Sequence, residues 1–260
     1  MAVRSLQKVI VPILFVCLWQ VVALTGKIDP KYFPSPVTVV QSWQEWVVGS
    51  SSDPGAWYSG TWSKHLRDST YRVLIGFFLA GVVGVGLGIL IGWFSLVSNL
   101  LDPFIQILRP IPITAWVPFA IVFFGIRDPS AVFLIALGAF FPIVVNTTAG
   151  ARGVPKVLVR AALMLGTRPS LLLWRVVFPS ALPSIFTGLR LGIGLAWVLV
   201  IVAEMLAVDA GVGRALWTAY EFIRMDLIVA AMATIGLVGF ACDQLIVVVR
   251  DRALRWAKGL

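Results

Sequence analysis

Six intervals of the sequence, 9–24, 71–95, 102–124, 131–150, 184–206 and 227–249, are apolar over lengths suited to lipid rather than to the core of a soluble domain. A membrane-crossing helix needs about 20 such residues to traverse a hydrocarbon core of about 30 Å. Inside that core only segments that satisfy their own backbone hydrogen bonds persist. Over 260 residues the chain is 59% hydrophobic and 13% charged, with mean hydropathy +0.94, so it has too few polar side chains to coat a globule. The expectation is an all-α integral membrane protein of about six transmembrane helices.

Arg4 and Lys8 precede the first run, Val9 to Leu24. A signal peptide shares that plan, but this run is longer than the usual apolar core and lacks a small-x-small cleavage site, so it reads as a retained span. Residues 26–68 turn polar around Pro30, Pro34, Pro36 and a Ser50-Ser51-Ser52-Asp53-Pro54-Gly55 turn cluster. Within them Val39, Val40, Trp43, Trp46 and Val47 recur at helical spacing, which predicts a short amphipathic helix anchored at the bilayer surface by its tryptophans. The second span carries Gly84, Gly88 and Gly92 at four-residue intervals beside Gly81 and Gly86, a face for close helix packing rather than a phosphate loop, since no Lys-Ser or Lys-Thr follows.

Pro103, Pro110, Pro112 and Pro118 interrupt the third run, and the carbonyls they free are tolerable only against protein or a water-filled cavity. Arg109 to Pro118 is therefore either a wall of a path or a kinked scaffold. The fourth run bends at Pro142 and carries Asn146, Thr147 and Thr148. The fifth holds Gly188, Gly192 and Ala196 at packing spacing, with Arg190 about 9 Å in from its start and Glu204 near its far end. Gly211 to Met225 reads as a polar interfacial helix before the sixth run.

Residues 151–183 form the long basic interval, with Arg152, Lys156, Arg160, Arg168 and Arg175 and no acid. Ala161 to Leu165 are helix formers, Gly166 is a helix end, and Pro169 opens a second short helix that Pro179 stops, which gives a helix-turn-helix at a membrane surface. Placing both termini and this interval on one side gathers Arg4, Lys8, the five loop cations and Arg250, Arg252, Arg255 and Lys258 there, and basic residues mark the cytoplasmic face. One transmembrane domain, 1–260, then divides into a first span with an outer loop (1–69), spans two to four (70–150), the cytoplasmic loop (151–183) and spans five and six (184–260).

Composition removes several functions. The net charge of +9 is scattered over one membrane face without a recognition motif, which argues against nucleic acid. Cys17 and Cys242 lie far apart in apolar runs, and the single His65 supplies neither a zinc set nor a hydrolytic triad. No phosphate loop is present, so the chain is not expected to be an enzyme or to hold a cofactor, metal or catalytic residue. Its work is conformational.

The interval Arg160-Ala161-Ala162, Gly166, Val176, Phe178 and Pro179 resembles the "EAA" signature of permease subunits in bacterial binding-protein-dependent ABC importers, with Arg160 where most of the family has Glu. Leu108-Arg109-Pro110-Ile111-Pro112, Trp116-Val117-Pro118, Phe141-Pro142-Ile143, Asn146-Thr147, Thr187-Gly188-Leu189-Arg190, Trp197 and Ala203-Glu204-Met205 are similar to its nitrate, sulfonate, taurine and bicarbonate branch. The resemblance implies a multi-pass inner-membrane permease working as two copies with two ABC ATPase subunits, which bind the ATP and magnesium, and a periplasmic solute-binding protein. It implies a small anion as cargo, with sulfonate, taurine or nitrate ahead of bicarbonate.

Carried onto this chain, Ala161, Ala162 and Gly166 set the coupling helix and its turn, Arg160 and Arg168 face the ATPase, and Pro179 redirects the chain into the fifth span. At Arg160 an acidic or carbonyl partner replaces whatever meets the family's Glu, or the residue only enforces topology. Arg109, Trp116, Asn146, Arg190, Trp197 and Glu204 are the candidate path residues. Arg190 either attracts an anion or is held by Asp243. Glu204 is a gate or a binding-protein contact, and Asp102 and Asp243 are structural partners. A stand-alone secondary transporter or channel is the alternative; it calls for an inverted repeat that this sequence does not display.

Overall fold

The computed structural model describes the backbone of residues 2–49 and 56–255, with the side chains of residues 2–9 and Pro169 left aside. The 50–55 turn cluster and Lys258 lie outside the described residues. Among those described, every regular element is helical: α1 (Ala2–Leu24), α2 (Pro36–Val48), α3 (Trp62–Trp93), α4 (Ser95–Leu108), a 3-10 turn (Ile113–Trp116), α5 (Val117–Phe124), α6 (Asp128–Arg152), α7 (Lys156–Met164), α8 (Pro169–Leu172), a π turn (Leu173–Val177), α9 (Phe178–Ala207), α10 (Val212–Glu221) and α11 (Met225–Ala253).

Among the described residues, four helices are long and apolar enough to cross a membrane: Trp62–Trp93, Asp128–Arg152, Ser170–Ala207 and Met225–Ala253. The third expected span is a bent pair, Ser95–Leu108 and Ile113–Phe124, meeting at 93°. Pro110 and Pro112 flank that bend and Pro118 sits in the first turn of α5, where its missing N–H costs nothing. Ile10–Leu24 is apolar but shorter.

Backbone packing divides the chain into two compact units, Met1–Asp68 with Ala210–Gly236, and Ser69–Asp209 with Leu237–Leu260. In the first, α2 starts with Ser35 capping the Thr38 amide (3.2 Å) ahead of Pro36, and ends at Gly49 in the left-handed region (φ 76°). Val39 and Trp46 of α2 are core residues packed with Tyr58, Val212, Ala215, Ala219, Leu227 and Ala231. Trp46 donates its indole N–H to Thr61 at 3.2 Å, so it is not the surface anchor its spacing suggested. Arg224 makes a two-point ion pair with Asp226 and lies 4.9 Å over the Tyr58 ring, and Tyr58 donates to Glu45 at 2.6 Å. The hydrogen bond to Asp226 holds the Arg224 pKa above its ordinary value, and burial together with the Glu45 bond raises the Tyr58 phenol.

In the second unit α3 and α6 approach through glycine. A Cβ built at Gly76, Gly84, Gly88 or Gly92 would fall 2.5–2.9 Å from side-chain carbons of Ile135, Ile143, Thr147 or Ala151. Gly81 and Gly86 point away from this seam. Ile143 is also gripped from α9, 2.9 Å from a Cβ at Gly192, and Asn146 lies 3.0 Å from one at Gly188. The glycine periodicity of the second and fifth runs is thus the seam that clamps α6 between two neighbours.

Candidate functional site

Two groups of side chains stand out in the second unit: ion pairs inside the spanning helices, and an exposed helical turn between α6 and α9. Glu204 is fully buried (0% exposed) near the end of α9. One of its oxygens accepts from Arg72 Nη1 at 2.6 Å and the other from Ser69 Oγ at 2.8 Å, both on α3. Arg72, its side chain 5% exposed, also donates Nε to Asp128 at 2.8 Å, at the first residue of α6. One arginine therefore ties α3, α6 and α9, and Asp128 sits where a helix start favours a negative charge. A charge so far from water needs such partners. Glu204 is enclosed, not presented to a docking protein. Sequence reasoning missed Ser69, Arg72 and Asp128, although Arg72, an arginine beside Tyr71 at the start of an apolar run, is the kind of charge that signals a partner.

Arg190 meets Asp243 in a fork, Nε to Oδ1 at 2.6 Å and Nη2 to Oδ2 at 2.8 Å. The pair joins α9 to α11, and the Arg190 side chain is still 47% exposed. Asp243 stands seven residues, about 10 Å along the helix, before Arg250. The pair is thus satisfied within the chain, as an ionic pair in an apolar helix requires. Trp197 and Glu204 follow Arg190 at seven-residue steps, so the three lie on one stripe of α9. Trp197 packs beside Gly239 and is buried, and its indole N–H, like that of Trp116, has no hydrogen-bond partner among the described residues. Asn146 donates to Pro142 O at 2.8 Å, while Arg109 is exposed at the end of α4. Asp102 pairs with Arg152 at 3.0 Å. The structure therefore gathers Arg190, Trp197 and Glu204 on one helix and sets Asn146 against that helix.

The exposed turn begins with α7, which carries Arg160, Ala161 and Ala162. Arg160 is exposed and the two alanines are half-buried. Val159 packs on the cluster of Ile89, Ala151, Val177, Ala181 and Ile185, which fixes the inner face of the helix. The helix ends in a Schellman turn: Thr167 N–H bonds Ala162 O at 3.0 Å, Gly166 N–H bonds Leu163 O at 2.9 Å, and Gly166 has φ 78°. Arg168 caps α8 with extended backbone and is exposed. The second helix does not stop at Pro179 as expected. It runs on from Ser170 to Ala207, because the π turn before Phe178, whose N–H reaches back to Leu173 O, widens the helix where a proline ring and its missing N–H would otherwise break it.

The chain is similar to known proteins over most of its length. Residues 84–256 match the family model of the binding-protein-dependent transport system inner membrane component. The chain is 41% identical to a putative ABC transporter permease protein of Methanocaldococcus jannaschii, over 96% of this chain and 92% of that one. It is 38% identical to the nitrate import permease protein NrtB of Synechocystis (88% and 82% covered) and 33% identical to the taurine transport system permease protein TauC of Escherichia coli (92% and 85%). The inward-facing MetNI methionine ABC transporter shares the fold, with a TM-score of 0.60 at 19% identity over 79% of this chain and 98% of that one.

Proposed function

Because the chain belongs to the inner membrane components of binding-protein-dependent transport systems, we propose that two copies of it assemble with two ATPase subunits and a solute-binding protein to carry a small anion inward. It is the permease subunit of an ABC importer, and ATP hydrolysis lies in separate subunits. A sulfonate, taurine or nitrate is the proposed cargo, and the names of relatives at 33–38% identity over most of the chain support that class. ATP and magnesium are bound by the ATPase partner. Both termini and the α7–α8 turn face the cytoplasm, as their basic residues favour.

In this reading the observation that carries the coupling role is the exposed α7 turn. Arg160, Ala161, Ala162, Gly166 and Arg168 form the element that the ATPase grips. The continuous helix through Pro179 then carries its displacement into α9, where Arg190, Trp197 and Glu204 stand. Arg109, Trp116 and Asn146 complete the proposed path. Closure of the ATPase pair moves the α7 turn, and the displacement passes into α9 because Ser170–Ala207 is one continuous helix starting at that turn.

The test is Gly166→Pro in the reconstituted complex. Proline cannot take φ 78°, so the turn is lost. The variant is expected to assemble with the ATPase and lose stimulation of ATP hydrolysis by the binding protein. Undiminished stimulation would overturn the coupling role.

A further inference from the structure

The fork with Asp243 answers the charge of Arg190 but not all of its donors. A guanidinium carries five N–H bonds, and the fork uses one on Nε and one on Nη2. The other three, two on Nη1 and one on Nη2, have no acceptor among the described residues. They include the Nη1–Nη2 edge, a second edge on which the group can bond two oxygens in parallel. Asp243 holds the plane of the guanidinium from the first edge, so the second is oriented in advance.

There is room beside it. Gly194, one turn along the same face of α9, is exposed, and a Cβ built there would meet nothing within 4 Å. Thr187, on the other side of Arg190, has its hydroxyl committed to Pro183 O at 3.0 Å. Trp197 adds a further unpartnered donor seven residues along the same stripe, where it stands against Gly239 of α11. The Arg190 side chain is 47% exposed against 23% for Asp243, so an arriving ion meets the cation first.

We infer that the open Nη1–Nη2 edge of Arg190 is a subsite for an oxyanion with two parallel oxygens, such as a nitrate or a sulfonate, and that Asp243 is the resident counter-ion that keeps the hold weak. This rests on the proposed place of Arg190 in the path. The carboxylate offsets the arginine's charge, so a passing anion is oriented and then released, as conduction through a site demands. Being held by Asp243 and receiving an anion are then concurrent roles of one side chain.

The test uses the permease with its ATPase subunits in nanodiscs, with Cys17→Ser and Cys242→Ala removing the native thiols and Gly194→Cys placing one beside Arg190. Relative to their rates with a free thiol, a sulfonate-bearing methanethiosulfonate is expected to label it about fivefold faster than the trimethylammonium counterpart, and free nitrate should slow that labelling. Arg190→Gln and Arg190→Lys should both abolish the preference, the lysine because an ammonium bonded to Asp243 has no second edge. Asp243→Asn should strengthen protection by nitrate at least about threefold, and unchanged protection would overturn the counter-ion role. No preference for the anionic reagent, or wild-type uptake of nitrate and taurine by an Arg190→Gln, Asp243→Asn double variant, makes the pair a structural clamp and overturns the inference while the importer reading stands. A preference lost once phosphatidylglycerol is added to phosphatidylcholine discs assigns the edge to a lipid headgroup and overturns it too. Uptake without the ATPase sinks the importer reading instead, and the anion preference at Gly194→Cys still decides the subsite.

Discussion

Arg72 is the side chain on which most of one helix end depends. Arg72→Met strands Glu204, a fully buried carboxylate, and should destabilise the protein by about 3–5 kcal/mol, read as a lower thermal midpoint in detergent. Glu204→Gln should cost less, because the amide still accepts from Arg72 while Arg72 keeps Asp128. Equal midpoints for wild type and Arg72→Met would show that the cluster carries no stability.

Two Schellman turns in the same chain offer a second comparison. Gly166 fills the left-handed position of one, but Ile223 fills that of the other at φ 55°, with Arg224 N–H bonded to Ala219 O at 2.8 Å. A β-branched residue there is strained, so Ile223→Gly should stabilise by roughly 1 kcal/mol and raise the midpoint, whereas Gly166→Ala should lower it by a similar amount. Tyr58 sets a pH dependence. Its phenol is raised, so the neutral form contributes stability that is present below the unfolded value of about 10 and is lost as pH rises through the folded value. Tyr58→Phe should flatten the fall of thermal midpoint at alkaline pH. At this scale little was legible beforehand. Arg190 and its partner Asp243 could be named because each interrupts an apolar run, but Glu204 could not be assigned to Arg72, which lies 132 residues away in sequence.

At the scale of elements, the seam between α3 and α6 separates two kinds of glycine. Gly88→Ala would put a methyl 2.5 Å from Thr147 Cβ and should lower the midpoint, in line with overpacking costs of about 1–3 kcal/mol. Gly86→Ala meets nothing within 4 Å and should be neutral or stabilising by up to about 1 kcal/mol. The four-residue spacing made Gly84, Gly88 and Gly92 readable as one face, since helical periodicity is local. Pro179 was misread for the opposite reason. A proline ordinarily ends a helix, and only the π turn ahead of it, which depends on how α9 packs, lets the helix continue. Trp46 shows the same limit: its helix was legible from periodicity, but which side of that helix is covered depends on α10 and α11.

For the whole molecule, a permease subunit whose ATP hydrolysis lies in separate subunits, with an exposed turn at the head of a 38-residue helix, is built to receive work from outside. The turn was legible because composition and spacing coincide there. Solute identity was not, since the intramembrane charges are already paired inside the chain. If inward transport is driven by a partner ATPase, uptake depends on that subunit. The direct measurement is uptake of labelled taurine and labelled nitrate into proteoliposomes containing the permease, with and without the ATPase subunit, and with the binding protein outside and ATP inside. Uptake is expected to require the ATPase, ATP and the binding protein together. Uptake by the permease alone, driven by an ion gradient, would contradict it.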